Sequence, residues 1–314
     1  MTASSSAGGC GETGAAVGRA PTPVRSVASR VQADVPAILD AHAHAWRRWP
    51  YEPQGPDATS RATIEQLLFE MDTHGVASAL VVCAAIEHNP DNLGYVAAAC
   101  ERRPDRLRLI AELDCSWSET YHTPGSPDRL LELADRHPLV GFAHYMQERN
   151  DGWLRGPEAD EVFALAAHRG LIVSLGVSPA WQADLRAIAA RHPEVPVLCH
   201  ALGLVCGADG AGMDEVLASA AVRNVHLKVC GFHYCASRPW DYPWPDVVGL
   251  FERIVAAYGP DRLCWGSDFP ASTRFCTFRQ SLEVVRTHCR FLAGEDLRLV
   301  LGGTLQRLLE NAAG

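Results

Sequence analysis

The chain has 314 residues, 47% of them hydrophobic and 21% charged, with a formal net charge of −9. That length suits one large α/β domain. No apolar run of about 18 residues is there to span a membrane, and the acidic balance excludes the basic footprint of a nucleic-acid binder.

Residues 1–30 are rich in Ala, Ser, Gly and Thr and carry Arg19, Arg25 and Arg30 against the single acid Glu12. Such a segment buries too little apolar surface to offset its ordering entropy, so it reads as a disordered tail ahead of a domain at 31–314. No apolar stretch follows Met1, so a secretory signal is not expected. Eight short β-rich apolar runs follow, at 38–44, 78–84, 107–113, 139–145, 171–176, 196–200, 225–231 and 263–268, starting 25 to 40 residues apart. A βαβ unit needs roughly 30 residues. Helical patterns lie between the runs. Ile64, Leu67, Leu68 and Met71 recur at helical spacing, with Gly75 placed to end the helix. Segments 158–168, 181–191 and 247–258 repeat the pattern, and Arg103-Pro104, His137-Pro138 and His192-Pro193 punctuate helix ends. Eight strands alternating with helices predict a single, slightly distorted (β/α)8 TIM barrel. An open doubly wound sheet is the alternative, but no G-x-G-x-x-G turn follows the first strand and no phosphate loop exists.

The eleven cysteines are an odd number with no C-x-x-C spacing. Cys83, Cys199 and Cys264 sit inside apolar runs, as buried thiols do. A reducing, cytoplasmic location is therefore expected.

The chemistry gathers at strand ends. His42 and His44 are two apart on a strand, so both point to one face, which at the C-terminal end of a barrel strand is the mouth. Two imidazoles converging there can chelate a divalent metal. The sixth run ends in His200 and the eighth in Asp268. An apolar strand ending in one ionisable residue is a poor core choice, because an unpaired buried charge is costly. The packing alternative is that Asp268 caps the next helix and His200 bonds a backbone carbonyl.

These motifs resemble the amidohydrolase superfamily, in its amidohydrolase-related branch. Asp40, His42 and His44 match its D-x-H-x-H, and Gly266, Ser267, Asp268 and Pro270 match its G-S-D-x-P. Segment 192–203 is similar to the family's stretch around strand six. Leu227-Lys228-Val229-Cys230-Gly231 is similar to its strand-seven pattern, with Cys230 where Ser is usual. The resemblance covers about residues 37–310. Many relatives place a ligating His at the end of strand five, but 171–179 has none. That pattern resembles the lactonase subgroup, which opens sugar lactones and dicarboxylic pyrone lactones, some of its members without a tightly held metal. A carboxylated lysine bridging two metals on strand four is excluded, because the chain's single lysine, Lys228, lies on strand seven. Where the subgroup shows Gly-Phe-Arg, the arginine gripping a substrate carboxylate, this chain has Gly141-Phe142-Ala143-His144. The family's N-A near the last helix is Thr304-Leu305 here.

The reaction so implied is hydrolytic opening of a lactone or similar ester or amide. His42, His44 and Asp268 would hold one divalent ion, zinc in the first instance, with a weakly held or metal-free site as the variant. Asp268 would take the water's proton as general base, and His200 would hydrogen-bond or protonate the developing oxyanion. The candidate substrate contacts are His144, His233, Trp46 and Arg274. Trp46, Trp49, Trp117, Trp153, Trp240 and Trp244, with Arg47, Arg149, Arg238 and Arg274, all fall in loops that build a barrel mouth. Aromatic walls favour a planar or apolar ligand, and an arginine could bind a carboxylate in bidentate fashion. A structural role inside the barrel is expected for Lys228, with a substrate contact as the alternative. The expected partner is a small-molecule substrate, not nucleic acid or membrane, with homo-oligomer formation open. Two other readings stay open. One is a metal-dependent nonoxidative decarboxylase of a small aromatic acid on the same site. The other is a barrel that binds without catalysing.

Overall fold

A computed structural model describes residues 37–205 and 212–312; the predicted tail at 1–30 lies outside the described residues. Strands β1 (Ile38–Ala43), β2 (Val76–Val82), β3 (Leu107–Glu112), β4 (Leu139–Tyr145), β5 (Ile172–Gly176), β6 (Val197–Cys199), β7 (Val225–Val229) and β8 (Leu263–Trp265) form one sheet. They lie side by side in chain order, each neighbouring pair parallel. At the seam the His44 N–H donates to the Phe269 carbonyl (2.6 Å) and the Asp268 N–H to the His42 carbonyl (2.8 Å). This is a (β/α)8 barrel, as the spacing predicts.

Helices α1 (Ile64–His74), α2 (Asn92–Arg102), α3 (Ser126–Arg136), α4 (Pro157–Arg169), α5 (Gln182–Arg191) and α6 (Met213–Ala218) follow the first six strands. A short turn, α7 (Phe232–Cys235), and then α8 (Pro245–Tyr258) follow β7. After β8 come α9 (Phe278–Glu283), α10 (Gly294–Arg298) and α11 (Thr304–Ala312). Thr63 caps α1 by accepting from the Gln66 N–H, and Gly75 ends it at φ 72°, the left-handed conformation glycine adopts freely.

Two apolar layers hold the barrel. Inside it, Leu39, Leu80, Ile110, Ile172 and Leu198 meet Leu305 and Leu308, so α11 closes the end opposite the mouth. Outside it, Leu109, Phe142, Val173, Leu227 and Trp265 pack against Leu67, Phe163, Ile188 and Phe251. Each strand therefore buries both faces, which is why the strands read as nearly continuous apolar runs. Cys83, Cys199 and Cys264 are buried thiols. Among the described residues no helix is long and apolar enough to cross a membrane.

The strand ends differ from the sequence expectation. β6 stops at Cys199 and β8 at Trp265, so His200 and Asp268 stand just past their strands. The cause at β8 is close approach to β1. A Cβ on Gly266 would lie 2.8 Å from His42 Cβ and 3.0 Å from its backbone nitrogen. Only glycine passes there, and beyond it Asp268 turns to φ 54°.

Candidate active site

The β1–β2 register slips between Asp40 and Ala43. Leu39 and Ala41 therefore line the barrel interior while Ala43 joins the outer layer. His42 and His44 still face the mouth together, their rings 4.9 Å apart. Strict alternation would have put Asp40 with them. Instead its Oδ1 accepts from the N–H groups of His42 and Ser267, both at 2.9 Å, and so ties β1 to the loop after β8. Burial raises the Asp40 carboxyl to about 6.

His42, His44 and Asp268 each offer a ligand atom, all within 4.8 Å of one another and all buried. His42 Nε2 is 3.7 Å from Asp268 Oδ1, and Asp268 Oδ2 accepts from the Tyr234 hydroxyl at 2.8 Å. Asp268 therefore does not cap the following helix through its side chain. Burial, the main cause, lifts its carboxyl to about 7. His44 Nδ1 lies 2.7 Å from the Val82 carbonyl, so that nitrogen carries the proton and Nε2 is left with its lone pair. That is the tautomer a metal ligand needs. Burial pulls His44 down to about 4 and His42 well below 6.5, so both rings are neutral at pH 7. The donor set and its protonation suit one divalent ion.

Beneath His42 runs a network that sequence reasoning did not assemble. Lys228 Nζ lies 3.0 Å from His42 Nδ1 and donates to Ser174 Oγ at 2.7 Å. Ser174 Oγ is 2.7 Å from His200 Nε2. Burial takes the Lys228 amine down to about 8. In the uncharged form, which the amine reaches above about pH 8, one proton arrangement satisfies all four groups. His42 Nδ1–H donates to Lys228, Lys228 to Ser174, and Ser174 to His200 Nε2. In that form His42 Nε2 is a lone pair and His200 Nδ1 an N–H, and His200 Nδ1 has no protein partner. His200 thus does not bond a backbone carbonyl through its side chain. Lys228 is wholly buried inside the barrel, as expected, but it also orients a site histidine.

Two tyrosines join the site that the strand-end pattern alone did not single out. Tyr145, last in β4, places its hydroxyl 3.5 Å from His42 Nε2 and 3.4 Å from His44 Nε2. Tyr234, in the turn after β7, holds Asp268. Alternation on β4 carried a signal for Tyr145: with Ala143 it faces the barrel interior, where a polar side chain is conspicuous.

The other predicted contacts divide. Trp46 lines the cavity above the site, stacked on His44 at 5.0 Å. His144 faces outward from β4, with Nδ1 2.8 Å from the Leu113 carbonyl and Nε2 3.1 Å from His122 Nε2. It misses the cavity because its neighbour Tyr145 takes the inward position. His233 is buried against Phe275 (4.5 Å) and also lies outside the main cavity, because α7 turns the chain after Gly231 and presents Tyr234 instead. Arg274 stacks over Tyr51 at 4.2 Å and does not line it either. Of the six loop tryptophans, Trp46 and Trp117 reach the cavity; Trp240 is 77% exposed. The cavity measures about 310 Å³. Its polar floor is His42, His44, His200, Asp268, Tyr145 and Tyr234, and Trp46, Tyr51, Ile86, Trp117 and Met146 form its walls.

The amidohydrolase family profile matches residues 39–310. A curated relative, the L-fucono-1,5-lactonase of Burkholderia ambifaria, is 27% identical over 283 residues, covering 84% of this chain and 92% of the relative. An amidohydrolase of Burkholderia multivorans solved with zinc bound superposes with a TM-score of 0.69 at 18% identity, over 87% of this chain and 99% of that one. A probable 2-pyrone-4,6-dicarboxylic acid hydrolase of Acinetobacter baumannii, solved with citric acid bound, superposes with a TM-score of 0.70 at 19% identity, over 87% and 99%. At such identities the two solved structures speak to the fold.

Proposed function

The chain belongs to the amidohydrolase family, and from that premise we propose that it opens a lactone ring by metal-assisted attack of water. One observation carries the reading: His42, His44 and Asp268 converge at the barrel mouth with neutral rings and ligand atoms within 4.8 Å. The 27% identical relative named for lactone hydrolysis supports the choice of a lactone over other acyl substrates.

An ion on His42 Nε2, His44 Nε2 and an Asp268 oxygen, zinc by preference, would supply Lewis acidity to the carbonyl and an acidified water. The residues do the rest. Asp268 takes a proton from the water as the water's oxygen bonds the lactone carbonyl carbon. The carbonyl oxygen gains the negative charge. His200 Nδ1–H, which has no protein partner, donates to it, and the Tyr145 hydroxyl, 3.4 Å from His44 Nε2, can donate beside it. The ring C–O bond then breaks, and Asp268 returns its proton to the departing alkoxide. The product is a hydroxy acid. Tyr234 orients the Asp268 carboxylate, and the Lys228–Ser174 pair keeps the protons of His42 and His200 on the nitrogens this chemistry needs. Buried thiols suit a reducing compartment, the cytoplasm.

The test follows acid release and CO₂ release in parallel over a panel of lactones and aromatic acids, with metal content measured on the same sample. Acid release from a lactone, one bound divalent ion, and a loss of at least about 10³-fold in kcat/KM for His42→Ala and Asp268→Asn are expected. Release of CO₂ instead, or unchanged turnover in both variants, overturns the proposal. Full activity in a metal-free sample overturns the metal-assisted route.

A further inference from the structure

The cavity walls name a class of lactone. Above the polar floor the cavity is lined mainly by rings and apolar side chains, with Ser116 the polar exception beside the Tyr51 hydroxyl, and among the described residues no arginine or lysine lines it. Several cations around the mouth are engaged elsewhere. The Arg274 guanidinium lies over the rings of Tyr51 and Phe275, at 4.2 and 5.3 Å, and its Nε donates to the Ala271 carbonyl. Arg47 lies over Tyr95 at 4.6 Å and Arg61 over Trp49 at 4.1 Å. Lys228 sits beneath His42, bonded to Ser174.

The indole donors of the walls are spent, which leaves Ser116 and the Tyr51 hydroxyl as the polar groups there. The Trp46 indole N–H is spent on the Ala84 carbonyl at 2.8 Å, and that of Trp117 on Glu112 Oε1 at 2.8 Å. Both indoles therefore offer the cavity carbon surface. They form part of a connected aromatic lining: Trp46 meets Tyr51 edge-on at 5.8 Å, and Trp117 leans on Tyr145 at 5.0 Å.

A carboxylate entering such walls loses its water and meets no guanidinium or ammonium in return. A polyhydroxylated ring would set more hydroxyls against carbon surface than Ser116 and Tyr51 could pair. A flat apolar ring meets matched aromatic faces. Resting on the lactone reading above, we infer that the substrate is a neutral lactone fused to, or substituted by, an aromatic or alkyl group, rather than a sugar lactone or a carboxylated pyrone.

Two measurements test this separately from the hydrolytic reading. The first compares kcat/KM of the metal-loaded enzyme for dihydrocoumarin, L-fucono-1,5-lactone and 2-pyrone-4,6-dicarboxylate. Dihydrocoumarin is expected to exceed each of the others by at least about 100-fold. Faster opening of either of the other two overturns the inference while sparing the lactone hydrolysis. The second is calorimetric titration with coumarin and with coumarin-3-carboxylate, which reads the walls without turnover. Coumarin is expected to bind at least tenfold tighter, and Trp117→Leu to lose most of that advantage with the circular dichroism spectrum unchanged. Equal or tighter binding of the carboxylate overturns the inference. Hydrolysis of none of the three lactones, with the coumarin preference intact, sinks the lactone reading and leaves the ligand class standing.

Discussion

At the scale of single residues, the site depends on where protons sit, and burial decides that. Tyr145 is the sharpest example. Tyr145→Phe removes only a hydroxyl, so metal content is expected to hold while kcat falls roughly 10²- to 10³-fold, in line with the loss of one oxyanion donor. Paired metal analysis and steady-state kinetics read the two effects apart. Burial also makes histidines a liability in acid. His226, far from the mouth, is held at about 4 against 6.5 by burial, partly offset by its bond to the Asn224 carbonyl. Between pH 4 and 6.5 the unfolded chain binds the proton that the folded chain refuses. Stability therefore rises with pH across that window and is lost as pH falls through it. His226→Gln is expected to lessen the loss between pH 7 and pH 4.5 by about 2 kcal/mol, measured as urea unfolding at a series of pH values. His144 and His233, also near 4, add to the same slope.

At the scale of elements, stability rests on caps and on close backbone contacts. Thr63 accepts from the Gln66 N–H at the start of α1, and Thr63→Ala is expected to cost about 1 kcal/mol. Gly141 in β4 is less forgiving. A Cβ there would sit 2.3 Å from the Ile172 carbonyl oxygen in the paired strand β5, and backbone cannot yield as a side chain can. Gly141→Ala is expected to cost at least about 2 kcal/mol by denaturant titration. The C-terminal helix α11 acts as the floor of the barrel. Leu305 is buried among Leu39, Leu80 and Ile110, so Leu305→Ala leaves a void inside the barrel and is expected to cost about 3 kcal/mol. These elements were largely visible beforehand. The Ile64–Met71 periodicity and Gly75 locate α1 to within a residue, and the apolar run 139–145 is β4 as it stands. Periodicity is a local property, so it survives in the sequence. The exact end of β8 does not, because it is set by the close approach of Gly266 to His42 in β1.

At the scale of the whole molecule, a bound ion would join β1 to the loop after β8 across the barrel's seam. Ligand binding to the folded state alone adds stability by mass action, about 2.7 kcal/mol at a hundredfold excess over Kd. A chelator is therefore expected to lower the Tm by several degrees, with Zn²⁺ restoring it, and His42→Ala to abolish the response. An unchanged Tm in the wild-type protein would argue against any such clasp. Sequence alone determined the barrel and pointed to His42, His44, His200 and Asp268 as the candidate set. Strand spacing, alternation and ligand-type residues at strand ends are all written along the chain. Only the tertiary structure decided which neighbours complete the site. The slip in β1 removed Asp40 from the ligand face, and the inward pleat of β4 chose Tyr145 over His144. The turn after Gly231 chose Tyr234 over His233. Lys228 on β7, Ser174 on β5 and His200 just past β6 became one hydrogen-bonded chain. Each of those outcomes depends on a distance between residues far apart in sequence, and no local pattern encodes a distance.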